Sequence, residues 1–343
     1  MAKRGQAHFG VMSRETLEIL TRKVLAFSEG HCVLGFQGGE PTLAGLEFFE
    51  TAIQLQKQYN VTNARILNTI QTNGYAVTEQ WARFFADHKF LVGLSLDGLE
   101  DIHNINRVDA AGAGTFARVM ETAGLFDRFK VDYNILTVAN GQTAQHVNRI
   151  YKFYQERRFR YLQFIACLDP LGEEPGNHEF SLTAQQYGRF LCSLFDLWYN
   201  DVRKGRQPYI RMFENHLAVL VGQEPESCDM RGICQNQYVV EADGSVYPCD
   251  FYVLDEYRLG SIVTDGILDL YIKSAGFTEA SRRRPDGCGE CKFHALCRGG
   301  CRRHRTIDDA GHVKNYFCSA YKQFFAHSVK RLSEIAAMIR EQM

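Results

Sequence analysis

The chain has 343 residues, 45% of them hydrophobic, and a formal net charge of −1. That length allows roughly two domains with a sizeable core, and the near-neutral balance removes the electrostatic case for nucleic acid or an anionic membrane as partner. Met1-Ala2-Lys3-Arg4-Gly5-Gln6 holds no apolar run, and no uncharged apolar stretch reaches the length of a membrane span, so a soluble, cytoplasmic protein is expected.

Ser13 is expected to cap a helix to about Ser28, followed by an apolar strand from His31 to Phe36. Leu46, Phe49 and Ile53 mark a second helix face, and Ala64 to Ile70 has the pattern of a strand. Thr78 caps a helix carrying Trp81 and Phe85, and Phe90 to Leu96 is the next strand. Helix then alternates with strand again: Thr115 to Phe129, Lys130 to Thr137, His146 to Tyr154, Tyr161 to Cys167. Tyr187, Phe190, Leu191, Leu194, Phe195 and Trp198 form one long stripe at helical spacing, which predicts a core-facing helix.

Repeated helix–strand units with nearly continuous apolar strands predict an α/β fold with a parallel sheet, open or closed into a barrel. About five strands are legible, too few for an eight-stranded barrel, so a partial (β/α) barrel is expected. The pattern breaks after residue 205, which divides the chain into a barrel domain, 1–205, and a Gly- and Cys-rich domain, 206–343. In the second, Val239 to Tyr247 is expected to form a hairpin turning at Asp243-Gly244. The domain is expected to be held more by metal than by a core, and residues 319 to 343 to close the chain as a helix.

Eleven cysteines in a reducing compartment point to metal ligation or catalysis rather than disulfides. Cys32, Cys167 and Cys192 fall in strand or helix patterns and are expected to be buried bystanders. The other eight, Cys228, Cys234, Cys249, Cys288, Cys291, Cys297, Cys301 and Cys318, make two sets of four. Four thiolates suit a cubane iron–sulfur cluster or a structural zinc. Gly244, Gly299 and Gly300 beside them would let backbone approach a bulky inorganic centre.

Three strand ends carry polar groups on one expected rim. Gln37-Gly38-Gly39-Glu40-Pro41-Thr42 offers exposed backbone and a carboxylate for a cationic amine, or is a plain strand-to-helix turn. Gln71-Thr72-Asn73-Gly74 and Ser95-Leu96-Asp97-Gly98 suit ribose hydroxyls, a carboxylate or peptide backbone; capping of the next turn is the alternative for Asn73 and Asp97. Arg107 is a candidate carboxylate clamp, or a surface arginine. Asp250, directly after Cys249 and among aromatic rings, is a candidate general base or a turn cap. Arg302, Arg303 and Arg305 beside Cys301 would offset cluster charge.

The Cys234–Gly244–Cys249 run and the Cys288, Cys291, Cys297, Cys301, Cys318 series resemble a SPASM auxiliary-cluster domain. Together with Gly38-Gly39-Glu40-Pro41 they resemble a radical S-adenosylmethionine (SAM) enzyme. More narrowly, QGGEPTLAGLEFFE, IQTNG, KFLVGLSLDG, QFIACLDPL and VEADGSVYPCDFYVLD are similar to the anaerobic sulfatase-maturating enzymes. The resemblance implies a radical SAM partial barrel followed by a SPASM domain with two auxiliary 4Fe-4S clusters. One would use Cys228, Cys234, Cys249 and Cys301, the other Cys288, Cys291, Cys297 and Cys318. Gln37, Gly38, Gly39, Glu40, Pro41, Asn73, Ser95, Arg107, Ile165 and Leu168 would surround SAM and the substrate.

By the same resemblance, a cysteine or serine of a sulfatase polypeptide becomes Cα-formylglycine, Asp250 takes the proton, and flavodoxin or ferredoxin donates electrons. In one respect the chain departs from the family. Members carry a Cys-x3-Cys-x2-Cys loop for a third, SAM-binding 4Fe-4S cluster; here the first cysteine is Cys32 and the first barrel strand is absent too. A shortened amino terminus is expected, as is inactivity of this chain alone. The alternatives are another SPASM peptide-modifying enzyme, a zinc-stabilised binding module, and a silent scaffold for sulfatase peptides.

Overall fold

The computed structural model describes residues 10–342; the signal-peptide expectation for Met1–Gln6 lies outside them. Ser13 caps α1 (Arg14–Phe27), its hydroxyl accepting from the Thr16 N–H, and Leu17, Thr21 and Leu25 turn inward at helical spacing. The alternating units follow: β1 (His31–Phe36), α2 (Leu46–Tyr59), β2 (Arg65–Thr72), α3 (Glu79–Asp87), β3 (Leu91–Ser95), α4 (Glu100–Asn106), α5 (Phe116–Phe129), β4 (Asp132–Ala139), α6 (Val147–Glu156), β5 (Tyr161–Ala166) and α7 (Ala184–Val202).

Strands β1 to β5 lie side by side in chain order, every pairing parallel, and a sixth strand extends the sheet. A doubly wound sheet reverses its strand order at a switch point; this order never reverses, as in a barrel wall. The expected helix at Thr78 forms, although the Thr78 side chain makes no cap hydrogen bond. The outer face of the sheet is sealed by aromatic packing, with Phe49 against Trp81 at 5.2 Å and Phe85 against Phe90 at 5.5 Å.

Past residue 205, β6 (Tyr209–Ile210) pairs parallel with Tyr161 and Leu162 of β5. Two residues are too short for any periodicity to register. Next, α8 (Arg211–Leu220) buries Phe213 and Leu217 in the barrel core. The cysteine-rich region then holds β7 (Val239–Val240), β8 (Ser245–Tyr247) and β9 (Gly260–Ser261), forming one antiparallel sheet, then α9 (Ile267–Ser281) and α10 (His294–Cys297). A second hairpin pairs β10 (Arg305–Ile307) with β11 (Val313–Asn315).

The cysteine-rich region has little apolar interior of its own: Val246, Ile262 and Leu270 form its separate buried cluster. Its last element returns to the barrel. Along α11 (Cys318–Gln342), Phe324 packs 5.9 Å from both Phe195 and Phe213, inside the core that contains the barrel strands. The Lys23 ammonium on α1 donates to three carbonyls of the β9–α9 turn, Ile262 at 2.7 Å, Asp265 at 2.8 Å and Val263 at 3.3 Å. No helix among the described residues is long and apolar enough to cross a membrane.

Candidate functional site

Because the strands are parallel, every one of them ends on the same edge, and that edge gathers the polar motifs. After β1, Gly38 and Gly39 adopt φ of +105° and +57°, and a Cβ on either would meet nothing within 4 Å. The turn is therefore left-handed and open on its outer side. Glu40 does not stand free for an amine. Its Oε1 accepts from the Thr42 N–H at 3.1 Å, the Thr42 hydroxyl at 2.6 Å and the Thr72 hydroxyl at 2.8 Å, and its Oε2 from the Asn73 N–H at 2.7 Å. One carboxylate thus ties the end of β1 to the end of β2, with Pro41 opening the short turn between them. The Asn73 side chain accepts from the Tyr75 N–H at 2.8 Å, the local capping bond that was the plainer expectation.

Beyond β3, Ser95 is half-buried at the strand end, and Asp97 is a hub. Its Oδ2 accepts from Arg107 Nε at 2.5 Å and its Oδ1 from the Val138 N–H at 2.7 Å. The Asp97 N–H donates to His103 Nδ1 at 3.1 Å, so the proton sits on Nε2, 3.1 Å from the Thr115 hydroxyl. Burial pushes the His103 pKa down to about 4, in keeping with this neutral tautomer. Arg107 is consequently oriented by an ion pair and is not a loose surface arginine. Ile165 and Leu168 are half-buried at the end of β5. Asp169, unmarked in the sequence reading, is buried there and accepts from the Gly176 N–H at 3.0 Å and from the Ser181 hydroxyl. Its signal was a lone acidic residue at a strand end, too common to single out.

The cysteine-rich region reaches this rim at two points. Gln37 Nε2 donates to Asp250 Oδ2 at 3.3 Å, and Arg303 donates to the Asp169 carbonyl. Asp250 is exposed, and its other oxygen, Oδ1, accepts from the Cys249 thiol at 3.3 Å. A carboxylate that faces solvent between the rim and a cysteine can accept a proton from a molecule bound in the gap.

All eleven cysteines are free thiols. Burial pushes Cys301 up to about 12 and both Cys228 and Cys297 up to about 11, with smaller contributions from neighbouring thiols. Those neighbours fall into two groups. Cys228 and Cys234 act on Cys301, Cys301 acts on Cys249, and Cys234 acts on Cys228. Separately, Cys288, Cys291 and Cys318 act on Cys297, while Cys318 and Cys291 act on Cys288.

Among the described residues, no three His, Cys, Asp or Glu side chains converge tightly enough to share one metal ion. Of the buried polar atoms without a partner, His294 Nε2, His304 Nδ1 and Arg305 Nε all lie within four residues of these cysteines. Two groups of four thiols are the donor set that a pair of cubane iron–sulfur clusters takes.

Comparison with known proteins gives a consistent result. A family model described as the radical SAM superfamily matches residues 4–154, and one described as an iron–sulfur cluster-binding domain (SPASM) matches residues 228–298. A cysteine-type anaerobic sulfatase-maturating enzyme of Clostridium perfringens is 47% identical over 97% of this chain and 90% of its own. One from Clostridium novyi is 42% identical over 96% of this chain and 88% of its own. A solved structure of native anSMEcpe with bound AdoMet and a Kp18Cys peptide has a TM-score of 0.94 at 47% identity, covering 96% of this chain and 92% of that one. Cys301 and Cys318 lie past the end of the SPASM match, yet stand among the other cysteines.

Proposed function

Since the chain belongs to the anaerobic sulfatase-maturating enzymes of the radical SAM superfamily, we propose that it oxidises an active-site cysteine of a sulfatase to Cα-formylglycine. Sulfatase maturation by radical SAM chemistry follows from membership. The cysteine rather than serine substrate is supported by the relatives at 47% and 42% identity, both of cysteine type.

The observation that carries the reading is the Gln37–Asp250 hydrogen bond, which sets the candidate base of the cysteine-rich region over the candidate SAM-binding turn. Gly38 and Gly39 would admit SAM against bare backbone, with Glu40 and Pro41 fixing the shape of the turn. Asn73, Ser95 and Arg107 would orient it from the neighbouring strand ends, and Ile165 and Leu168 would wall the gap. When bound, SAM and the clusters supply hydrogen-atom abstraction from the substrate Cβ and a sink for one electron. Asp250 takes the thiol proton, Gln37 holds the carboxylate toward the gap, and water hydrolyses the resulting thioaldehyde to the aldehyde and sulfide.

The first auxiliary cluster is assigned to Cys228, Cys234, Cys249 and Cys301, and the second to Cys288, Cys291, Cys297 and Cys318. Cys32 in β1, Cys167 after β5 and Cys192 in α7 stand on three separate elements. Cofactor cleavage is therefore not routed through cysteines of this chain, and turnover would require a polypeptide that also supplies a Cys-x3-Cys-x2-Cys set. We place the protein in the cytoplasm, where a flavodoxin or ferredoxin can reduce it.

The test is a Cys-x-Pro-x-Arg peptide incubated under anoxic, reducing conditions with SAM and a version extended by a Cys-x3-Cys-x2-Cys segment. Mass spectrometry should register loss of the thiol as formylglycine. A thioether product, or no change in mass while SAM is cleaved, would reject the assignment.

A further inference from the structure

Arg305 opens β10 but spends its side chain elsewhere. Nη1 donates to the Ser281 carbonyl at 2.6 Å and the Arg283 carbonyl at 2.9 Å; Nη2 donates to the carbonyls of Gly300 at 2.7 Å and Gly232 at 3.0 Å. Two of those acceptors lie beside cysteines in the chain, and the other two stand at the end of α9 and just past it. Gly232 lies two positions before Cys234 and Gly300 directly before Cys301, and the Ser281 hydroxyl accepts the Cys234 N–H at 2.8 Å. All of these frame the first set.

The second set touches the same guanidinium from the opposite direction. A Cβ built on Gly299 would stand 3.8 Å from Arg305 Nη2 and 3.8 Å from Cys288 Sγ, so the two groups are separated by little more than that glycine. Cys234, Cys301 and Cys288 are the thiols whose charge acts on Arg305, members of both sets. Its neighbours are more one-sided. Arg302 lies 4.5 Å above the Phe277 ring and acts on Cys234, Arg303 reaches Asp169, and Lys322 acts on Cys288. Four of the five Arg305 donors are fixed by carbonyls, and the fifth, Nε–H, is buried without a protein acceptor. A guanidinium held this firmly cannot swing away when the charge around it changes.

We propose that Arg305 is the electrostatic link between the two cysteine sets, a fixed positive charge that raises the reduction potential of the clusters held by both. The inference rests on the assignment of iron–sulfur clusters to those sets. An added electron makes a cluster more negative, and a nearby cation in a poorly solvated interior stabilises that reduced form. One charge placed beside both sets shifts the two potentials in the same direction rather than favouring one cluster over the other.

The 343-residue chain, reconstituted anoxically with iron and sulfide, is titrated with dithionite and followed by EPR as parent, R305Q and R305K. With iron and sulfide content equal to the parent, R305Q should lower the reduced-to-oxidised ratio of both clusters about tenfold at a fixed poise, or about 59 mV for a one-electron couple. R305K, which keeps the charge and loses the fork of hydrogen bonds, should stay near the parent. Unchanged potentials in a fully loaded R305Q overturn the proposal, as does a shift confined to one cluster or an R305K shift as large as that of R305Q. If R305Q takes up no iron, R305K decides: both clusters at parental potentials support the link, and lost iron or shifted potentials overturn it as mere scaffolding. A parent that itself takes up no iron and sulfide overturns the cluster assignment, and the link falls with it.

Discussion

Asp250 accepts a hydrogen bond from Gln37 across 3.3 Å of space and 213 positions of sequence. Each residue alone is a turn residue on its own element; together they make a polar gap with a proton acceptor on one side and the glycine-rich turn on the other. If Asp250 is the base, Asp250→Asn should cut formylglycine formation by about 10²–10⁴-fold. Gln37→Ala, which frees the carboxylate without removing it, should cost roughly tenfold. Initial rates of the version extended by a Cys-x3-Cys-x2-Cys segment on a sulfatase peptide, with SAM cleavage measured in parallel, check both. An Asp250→Asn variant at parental rate would remove the base.

Glu40 joins two strand ends through one carboxylate, and its loss should be felt in cofactor affinity. Glu40→Ala deletes acceptors for the Thr42 and Asn73 N–H groups and the Thr72 hydroxyl. Hydrogen bonds to a charged group contribute about 1.5–3 kcal/mol each, so SAM binding should weaken by at least about tenfold. Equilibrium dialysis measures this, and unaltered affinity would confine Glu40 to a purely local turn.

The partition of cysteines predicts independent losses. Cys318→Ser should remove the iron of one cluster and Cys228→Ser that of the other, each leaving its counterpart's EPR signal intact. The double variant should retain neither. Iron that falls by the same amount in the double as in either single would mean the two residues share a cluster.

Lys23 holds the β9–α9 turn against α1 through three carbonyls. Lys23→Met keeps the aliphatic stem and abandons those acceptors, at a cost of about 1–3 kcal/mol. The melting temperature should fall by a few degrees with iron content unchanged. A parental melting temperature would show the contact to be replaceable by water.

Two buried histidines predict acid sensitivity. Burial lowers His103 to about 4 and His216 to about 3. A depressed folded-state pKa means the unfolded chain binds the proton first. The stability from these neutral rings is complete above the ordinary histidine pKa of about 6.5 and drains away as pH falls toward 4 and then 3. Melting temperatures across that window should drop steeply, and His216→Gln should flatten the lower part of the curve. A flat profile between pH 6.5 and 4 would exclude charging of His103 as a cause of unfolding.

Much of the barrel was legible because its periodicities are long and unmixed. His31–Phe36 was bounded to the residue, and Ser13 as a cap follows from one hydroxyl before an amphipathic run. The two-residue β6 and the helix after it were missed, since pairing with β5 and burial of Phe213 are contacts with distant residues. The Cys-rich spacing likewise announced metal, but spacing cannot say which thiols meet. Folding brings Cys301 beside Cys228 and Cys234 and Cys318 beside Cys288 and Cys297, with Gly299 and Gly300, both at positive φ, turning the chain between Cys297 and Cys301.

Residue order by itself determined the alternation of helix and strand, the rim motifs and the supply of eight thiols, because each depends on neighbours a few positions away. The tertiary structure alone decided that Glu40 is a brace, that Arg107 pairs with Asp97, that α11 belongs to the barrel core, and that Asp250 faces Gln37. Those outcomes depend on burial and on distances between remote segments, and a side chain's role changes with the partner that folding brings to it.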